Sequence, residues 1–321
     1  MKNTCISSLY CRICGGRINL DDCLYDDRYG YPGCFDLYKC SSCGHKVINA
    51  EFNASQLSDL YTEYYPRSTY DVTKYKPAED SHGFSAWFNG VPRSAYCWVP
   101  ENVRVLDIGC GFGETLGYHK SRGCEVYGVE TDENIRRVAD KHGFNVHVGL
   151  FDPKQYEPDF FDYVTLDQVI EHVTDPVENL QGIAHVLKHG GVALLSTPNP
   201  SGWGARLFGN RWINWHAPYH IQHFSRESMR IAAESAGLKV ESIRTLTSSE
   251  WLHYQWNHLL IFPQMGEPSP FWSPKVKPAV MDRFIMIVLA VIHRTRFNHI
   301  ITRLFDAFGV GDNYLFFLRK P

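Results

Sequence analysis

The chain has 321 residues, of which 44% are hydrophobic, and a net charge of -3 at pH 7. This length suits one full domain with an appendage, and the hydrophobic fraction is that of a globular protein with a sizeable core. A surface that binds the phosphate backbone of nucleic acids needs a basic excess, which this composition lacks. We therefore expect no nucleic-acid partner.

The chain start and the longest apolar run bear on the compartment. Residues 1–10 contain no apolar run behind a basic head, so we expect no secretory signal. The longest uninterrupted apolar stretch, residues 284–292, has nine residues, whereas a membrane span needs roughly 20. We expect a cytoplasmic protein, either soluble or bound peripherally to the inner face of the membrane.

All ten cysteines lie within the first 124 residues, and such clustered pairs favour a metal site over a disulfide framework. Two Cys-x-x-Cys knuckles are each followed by glycine, and four thiolates in tetrahedral geometry make a closed structural zinc site. The sequence thus predicts a zinc ribbon over residues 1–50, with Zn²⁺ bound by Cys11, Cys14, Cys40 and Cys43. Cys23 and Cys34 lie between the knuckles and His45 follows them, so exchange of a ligand stays open.

Residues 51–100 are predicted to be a helical linker and lid. Residues 55–65 place leucines and tyrosines on one face, which is typical of a short amphipathic helix. A polar stretch, residues 71–81, reads as a linker, and the aromatic stretch 84–98 is predicted to be helical.

From residue 103 short apolar strands alternate with helices, a pattern that indicates a mostly parallel sheet covered on both faces. The predicted strands are residues 103–108, 125–129, 146–148, 163–166, 192–196, 239–246 and 314–319. The predicted helices are residues 113–122, 133–141, 176–187 and 225–236. The fold class is α/β, with a Rossmann-like sheet of seven strands over residues 101–321, the ribbon in front and a helical insertion before the last strand.

Three glycines, Gly109, Gly111 and Gly113, follow the first predicted strand of this domain. Glycine permits a tight turn and the close approach of a cofactor. Glu130 ends the second strand, where a carboxylate can accept both ribose hydroxyls of a nucleoside. The spacing G-x-G-x-G differs from the G-x-G-x-x-G of dinucleotide sites, whose third glycine packs a helix under a pyrophosphate. The pattern predicts a nucleoside cofactor without phosphate.

The segment V-L-D-I-G-C-G-F-G resembles the first motif of the class I S-adenosylmethionine (SAM)-dependent methyltransferases. Residues 128–132 resemble the end of their second strand, residues 161–173 their fourth strand and its exit, and residues 187–199 the turn and fifth strand. The resemblance runs in order over residues 103–246, with residues 314–319 similar to the closing strand. It implies a methyltransferase that uses SAM.

The resemblance also implies a role for each matching residue. The three glycines would line the methionine and ribose, and Glu130 would bind the ribose hydroxyls. The other expected cofactor contacts are Asp107 near the amino group, Phe151 and Asp152 beside the adenine, and Asp167 and Gln168 near the sulfonium.

Methyl transfer to a hydroxyl or an acidic C–H requires removal of a proton, for which histidine is suited. His172 follows the fourth strand, at the edge where α/β sheets bind ligands. W-H-A-P-Y-H-I-Q-H-F, residues 215–224, resembles a P-x-H-x-x-H-F stretch of methyltransferases that act on small molecules and glycans. His220 and His223 match it. We expect the base to be His220 first and His172 second, with His223 in the same set; a purely structural role for any one of them stays open.

Aromatic residues surround these histidines. Two arrangements are open: a stacking wall for a sugar or apolar ring, or a packed lid over the cofactor. The residues concerned are Trp203, Trp212, Trp215 and Tyr219.

The acceptor is the least defined part of the prediction. The two knuckles followed by L-Y-T-E-Y-Y resemble the start of bacterial methyltransferases found with polysaccharide and sugar biosynthesis. That implies transfer to an oxygen or carbon of a sugar, glycan precursor or related small molecule. The alternatives are an RNA methyltransferase that uses its ribbon for recognition, and a SAM-binding protein without catalysis. Four acidic residues in the ribbon would repel phosphates and favour the first reading: Asp21, Asp22, Asp26 and Asp27.

More than sixty residues, 247–311, separate the last two strands, and a structureless loop of that length is unusual in a compact domain. Residues 281–308 supply apolar helical material interspersed with arginines. We expect a helical insertion, either an amphipathic element on a membrane surface or a helix packed on the core or in a dimer interface. In the membrane case a lipid-linked glycan becomes a suitable acceptor.

Overall fold

The computed structural model describes residues 10–50, 52–65, 72–79 and 83–321. The expectation that the chain start lacks a secretory signal falls on residues 1–10 and so lies almost wholly outside the described residues. The same holds for residues 71, 80 and 81 of the predicted linker.

Eleven strands occur in the described residues. They are β1 Ile18–Leu24, β2 Phe35–Cys40, β3 Lys46–Ile48, β4 Arg104–Ile108, β5 Glu125–Glu130, β6 Asn145–Val148, β7 Phe161–Asp167, β8 Leu187–Pro198, β9 Gln222–His223, β10 Lys239–Leu246 and β11 Asn313–Arg319. The α-helices there are α1 Ala54–Asp59, α2 Gly83–Phe88, α3 Glu114–Ser121, α4 Ile135–His142, α5 Pro176–Val186, α6 Trp203–Phe208, α7 Arg226–Ser235, α8 Ser249–Leu260, α9 Val280–Arg294 and α10 Phe297–Ala307.

The main sheet has seven strands in the order β10-β11-β8-β7-β4-β5-β6. The five strands from β8 to β6 in this order run parallel, and β11 is antiparallel to both β8 and β10. Alternate residues of a strand point to opposite faces, and both faces are buried: Leu106 belongs to one hydrophobic core and Val105 to the other. The predicted Rossmann-like α/β class is confirmed.

The predicted helix over residues 84–98 was wrong in extent. The structure has α2 and, separately, a 3₁₀ turn at Ala95–Trp98. Gly90 adopts a positive φ of 72° between them, and Pro92 cannot continue a helix. The turn at Gly90 and Pro92 therefore ends the helix, although aromatic residues continue beyond it.

The ribbon forms a second, four-stranded sheet in the order β1-β2-β3-β9. Its last member comes from the main domain, because Lys46 pairs with His223 and Val47 with Gln222. The ribbon is therefore built into the sheet pairing of the larger domain.

Cys23 and Cys34 form a disulfide, with Cα atoms 6.0 Å apart. The antiparallel register pairs Cys23 with Asp36 and Leu24 with Phe35, so Cys34, just before β2, lies near Cys23 at the same end of the hairpin. The preference for metal binding over disulfide bonding was therefore wrong for this pair, and neither residue is an alternative metal ligand.

The insertion leaves the sheet after Leu246 and returns at Asn313, and these two residues pair with each other. Asn313 also pairs with Pro198, the last residue of β8. The insertion thus begins and ends at the carboxyl edge of the parallel strands. In the described part of the chain no single helix is long and apolar enough to cross a membrane, whereas α9 and α10, which meet at a 64° bend, reach that length and composition together.

Candidate active site

A glycine turn joins β4 to α3 at the carboxyl edge of the main sheet. Gly109, Gly111 and Gly113 have positive φ angles of 75°, 55° and 82°, a region that side chains with a Cβ rarely occupy. The amide N–H of Gly109 donates to the Val129 carbonyl at 2.8 Å and ties the turn to β5. A Cβ placed at Gly111 would have no described atom within 4 Å. This side of the turn therefore faces open space that a cofactor can fill.

The Glu130 carboxylate lies directly beside this turn. Its Oε2 accepts the Gly111 N–H at 2.9 Å, and its Oε1 accepts the N–H groups of Thr131 and Asp132 at 2.7 and 3.0 Å. These bonds fix the carboxylate at the end of β5, and each oxygen keeps lone pairs for further donors. The geometry fits the binding of two ribose hydroxyls.

Asp107 is buried beneath the turn. Its carboxylate accepts the hydroxyl of Thr165 on β7 at 2.6 Å and the hydroxyl of Thr115 in α3. Burial raises the pKa of Asp107 to about 6. The side chain thus joins β4, α3 and β7, and its contact with a cofactor amino group stays a prediction.

The other expected cofactor residues follow β6 and β7 at the same edge. The ring centres of Phe151 and Tyr156 lie 6.5 Å apart in a stacked arrangement. Asp152 caps a 3₁₀ turn by accepting the Lys154 N–H at 3.0 Å. Gln168 has a positive φ of 58°, and its Nε2 donates to the Ser196 hydroxyl at 2.7 Å. Asp167 is the last residue of β7 and is partly buried. Their contacts with a cofactor likewise stay predictions.

Two of the three candidate bases lie together. The rings of His172 and His220 are 4.7 Å apart. The Nδ1 of His172 is 2.9 Å from the Tyr219 carbonyl, and the Nδ1 of His220 is 2.9 Å from the Asn214 carbonyl. Because a carbonyl can only accept, both Nδ1 atoms carry the proton and both Nε2 atoms keep the lone pair.

The two histidines differ in access to solvent. His172 is exposed and His220 is buried. Desolvation lowers the pKa of His172 and lowers that of His220 further, so both rings are neutral near pH 7. A general base must be unprotonated and within reach of its substrate, and of these two histidines only His172 is an exposed residue.

Glu171 completes this cluster. Its side chain, with those of His172 and His220, places one donor atom each within 4.8 Å of the others, close enough that the three could also share a metal ion. Burial raises the pKa of Glu171 to about 8, and its Oε2 accepts the Thr197 hydroxyl at 3.0 Å. Its Oε1 has no hydrogen-bond partner among the described residues.

His223, the third candidate base, lies outside this cluster. It is fully buried on β9, and its ring packs edge-on against Trp215 at 4.9 Å. Burial lowers the pKa of His223 to about 3. The structure places this residue in the packing between the ribbon sheet and the main domain.

The four aromatic residues near the histidines lie in the interior packing, and their role as a stacking wall or as a lid over the cofactor stays a prediction. All four are buried, and Trp203 stacks on Phe305 at 4.5 Å. The ribbon contributes to the same packing, a feature that the sequence reading missed. Tyr29, in the loop between β1 and β2, contacts the rings of His216 at 6.0 Å and Tyr219 at 5.8 Å. The sequence offered one sign that this loop is special, the acidic and aromatic run D-D-R-Y-G-Y at residues 26–31.

Two of the four acidic residues of the ribbon are buried and do not face solvent as expected. Asp26 is buried and accepts the N–H groups of Arg28, Tyr29 and Tyr31. Asp27 is also buried, with its Oδ2 at 3.2 Å from Nε2 of His258 in α8. The argument that these two carboxylates repel phosphates was therefore wrong.

The four knuckle cysteines meet in one cluster. Sγ of Cys11 lies 3.8 Å from that of Cys43, and Sγ of Cys14 lies 3.4 Å from that of Cys40. All four sulfurs lie within 4.8 Å of one another, and a tetrahedral zinc with bonds of about 2.3 Å separates its sulfurs by about 3.8 Å. His45 is engaged elsewhere, since its Nε2 lies 2.7 Å from Oε1 of Gln222. The donor set fits zinc.

A family model described as a methyltransferase domain matches residues 76–243, which include the glycine turn, Glu130 and both clustered histidines. The chain belongs to this family of methyltransferases, and the protein is a SAM-dependent methyltransferase. The ribbon with its four-cysteine cluster and the helical insertion lie outside the matched residues.

Among similar proteins is a ubiquinone biosynthesis O-methyltransferase from Pseudomonas fluorescens, 32% identical over 168 residues, covering 47% of this chain and 72% of the relative. A protein of the same name from Xanthomonas euvesicatoria is 29% identical over 162 residues, covering 46% of this chain and 68% of the relative. A solved SAM-dependent methyltransferase from Archaeoglobus fulgidus is 22% identical, with a TM-score of 0.42 over 68% of this chain and 86% of that chain.

Proposed function

We propose that the protein transfers the methyl group of SAM to a hydroxyl oxygen of a small molecule, in particular a sugar or glycan precursor of polysaccharide biosynthesis. One observation carries this proposal: the exposed His172 presents a neutral Nε2 at the carboxyl edge of the sheet, beside Glu171 and His220. Oxygen is preferred to carbon because the similar proteins are named O-methyltransferases.

The cofactor, when bound, supplies a methyl group on a positively charged sulfur. The glycine turn and Glu130 would hold its methionine and ribose portions, and it would give up the methyl group and leave as S-adenosylhomocysteine. His172 Nε2 would take the proton of the acceptor hydroxyl, and the ring would end the reaction protonated. The Tyr219 carbonyl keeps the Nδ1 proton in place throughout. His220, being buried, orients this ring, which reverses the order expected from the sequence.

We propose that the cysteine cluster binds one structural Zn²⁺. The ribbon sheet ends on β9, and the Ser225 hydroxyl donates to the Cys43 carbonyl. Zinc would thereby stabilise the segment that carries His216 and His220, without taking part in the reaction.

The experiment is incubation of the purified protein with methyl-labelled SAM and a fractionated cell extract. We expect label in the small-molecule or lipid-linked glycan fraction, in a linkage that resists mild base as an ether does. Label in RNA would contradict the proposal and support the ribbon-guided alternative. Binding of SAM without label in any fraction would instead indicate a SAM-binding protein without catalysis.

A further inference from the structure

We propose that α9 and α10, together with the adjoining α2, form a surface that docks on an anionic lipid bilayer. This inference goes beyond the proposed function, and its test requires no turnover. The apolar side of the two insertion helices, called the hairpin face below, consists chiefly of Met281, Phe284, Ile287, Val291, Ile300 and Leu304.

The side chains of the hairpin face point into solvent. Phe284, Ile287 and Ile300 are 61%, 64% and 63% exposed. Soluble domains rarely expose so many large apolar side chains together, and an extended patch of this kind marks a binding surface.

The spacing of these residues shows that the exposure belongs to one face of each helix. In α9 the exposed residues recur every three or four positions, from Met281 through Phe284 and Ile287 to Val291, which is helical periodicity. The opposite faces pack inward: Leu289 of α9 is buried, and the Thr302 hydroxyl of α10 lies 2.8 Å from that of Ser249 in α8. An amphipathic helix normally buries its apolar face, so here that face has no covering partner among the described residues.

The charges at the rim identify the partner. Arg283, Arg294 and Arg296 are exposed, as is Lys277 shortly before α9. The acidic residue of this stretch nearest to them, Asp282, is partly buried and accepts the Ala279 N–H at 2.8 Å. An apolar face with a basic rim complements anionic headgroups above acyl chains. A symmetric dimer through the same face would bring two basic rims together, which is unfavourable.

α2 extends the surface with aromatic residues. Phe84 and Trp87 are 74% and 51% exposed. The Arg296 guanidinium lies 4.3 Å from the ring centre of Phe88, which joins α2 to the bend between α9 and α10. Exposed aromatic rings beside basic residues are typical of segments at the membrane interface.

The position of the insertion indicates how membrane docking would serve the proposed reaction. The insertion begins and ends at the carboxyl edge of the main sheet, the edge that carries the glycine turn and His172. Docking there would hold the active-site edge close to acceptors that carry a lipid tail.

The test is flotation of the purified full chain with vesicles of phosphatidylcholine alone or of phosphatidylcholine and phosphatidylglycerol in equal parts. We expect binding to the anionic vesicles, weakened by about tenfold in Arg283→Gln/Arg294→Gln and by high salt. Phe284→Asn/Ile287→Asn should weaken binding by at least about tenfold. Leu20→Asn is the matched control, because Leu20 is 62% exposed on the ribbon, and it should bind as the wild type does.

Unchanged melting temperature and SAM affinity would show that the variants fold. Failure of the wild type to float with anionic vesicles would overturn the proposal. Equal loss of binding in Leu20→Asn would overturn it as well. So would a dimer in sedimentation that only Phe284→Asn/Ile287→Asn dissociates, in the absence of vesicle binding, because the occupant would then be a second copy of the chain.

Discussion

Two backbone carbonyls determine which ring nitrogen is basic in the clustered histidines. Tyr219 and Asn214 each hold one Nδ1 proton, so the basic nitrogen of both His172 and His220 is Nε2. A protonated ring cannot accept a further proton, and the rate must therefore fall as the pH drops through the pKa of the base.

This gives a pH prediction for the wild-type enzyme. Desolvation lowers the pKa of His172, so the acid limb of kcat should have its midpoint below the ordinary histidine value of about 6.5. A pH–rate profile at saturating SAM measures it. A midpoint clearly above that value would show that another group limits the rate.

Replacing Glu130 tests the predicted ribose site of the cofactor. Glu130→Gln replaces a charged acceptor by an amide that can bind only in part, and we expect the Kd for SAM to rise by about 10- to 100-fold. Titration calorimetry measures the change. Glu133→Gln is the control, because Glu133 is exposed and pairs with Arg136; its SAM affinity should not change. Equal affinities in all three proteins would remove Glu130 from the ribose site.

At the scale of elements, the proposed zinc predicts that the ribbon needs its metal to fold and that β9 needs the ribbon. Cys40→Ser should lose one bound zinc per chain and lower the melting temperature, and kcat/KM should fall by about tenfold or more because β9 loses its support. Cys124→Ala is the control, since Cys124 is buried outside the cluster. A wild-type protein that binds no zinc would refute the proposed metal site.

Gly90 joins the segment after α2 to the insertion. A Cβ there would lie 2.2 Å from the Ser249 hydroxyl, so Gly90→Ala should lower the free energy of unfolding by about 1–3 kcal/mol. Gly83 has a similar positive φ of 87° but no described atom within 4 Å of its added Cβ. Urea unfolding of both alanine variants separates the clash from the backbone strain, and equal losses would contradict the contact.

The elements predicted correctly from the sequence are those that short stretches of the chain specify by themselves. β4 to β7 are short apolar runs, and the glycine turn and Glu130 have a spacing that implies the cofactor site. β9 has two residues and no periodicity, and it exists because a distant ribbon strand pairs with it. The burial of Asp26 and Asp27 could not be read from the sequence either, because it depends on backbone donors and on His258 in the insertion.

At the scale of the molecule, a domain shared with the methyltransferase family is joined by two additions, the ribbon and the insertion. The predicted cofactor residues lie within the part that matches the methyltransferase family, residues 76–243. The ribbon and the insertion lie outside that part, and they contact each other through Asp27 and His258. The choice of acceptor should therefore depend on these two additions more than on the shared domain.

The most direct test of the account is methyl transfer by His172→Ala. With labelled SAM and the acceptor fraction identified for the wild type, we predict that kcat falls by roughly 10²- to 10⁴-fold while the Kd for SAM stays within about twofold. His220→Ala should retain more activity, because it acts through His172. Transfer by His172→Ala at the wild-type rate, with SAM bound normally, would contradict the assignment of His172 as the base.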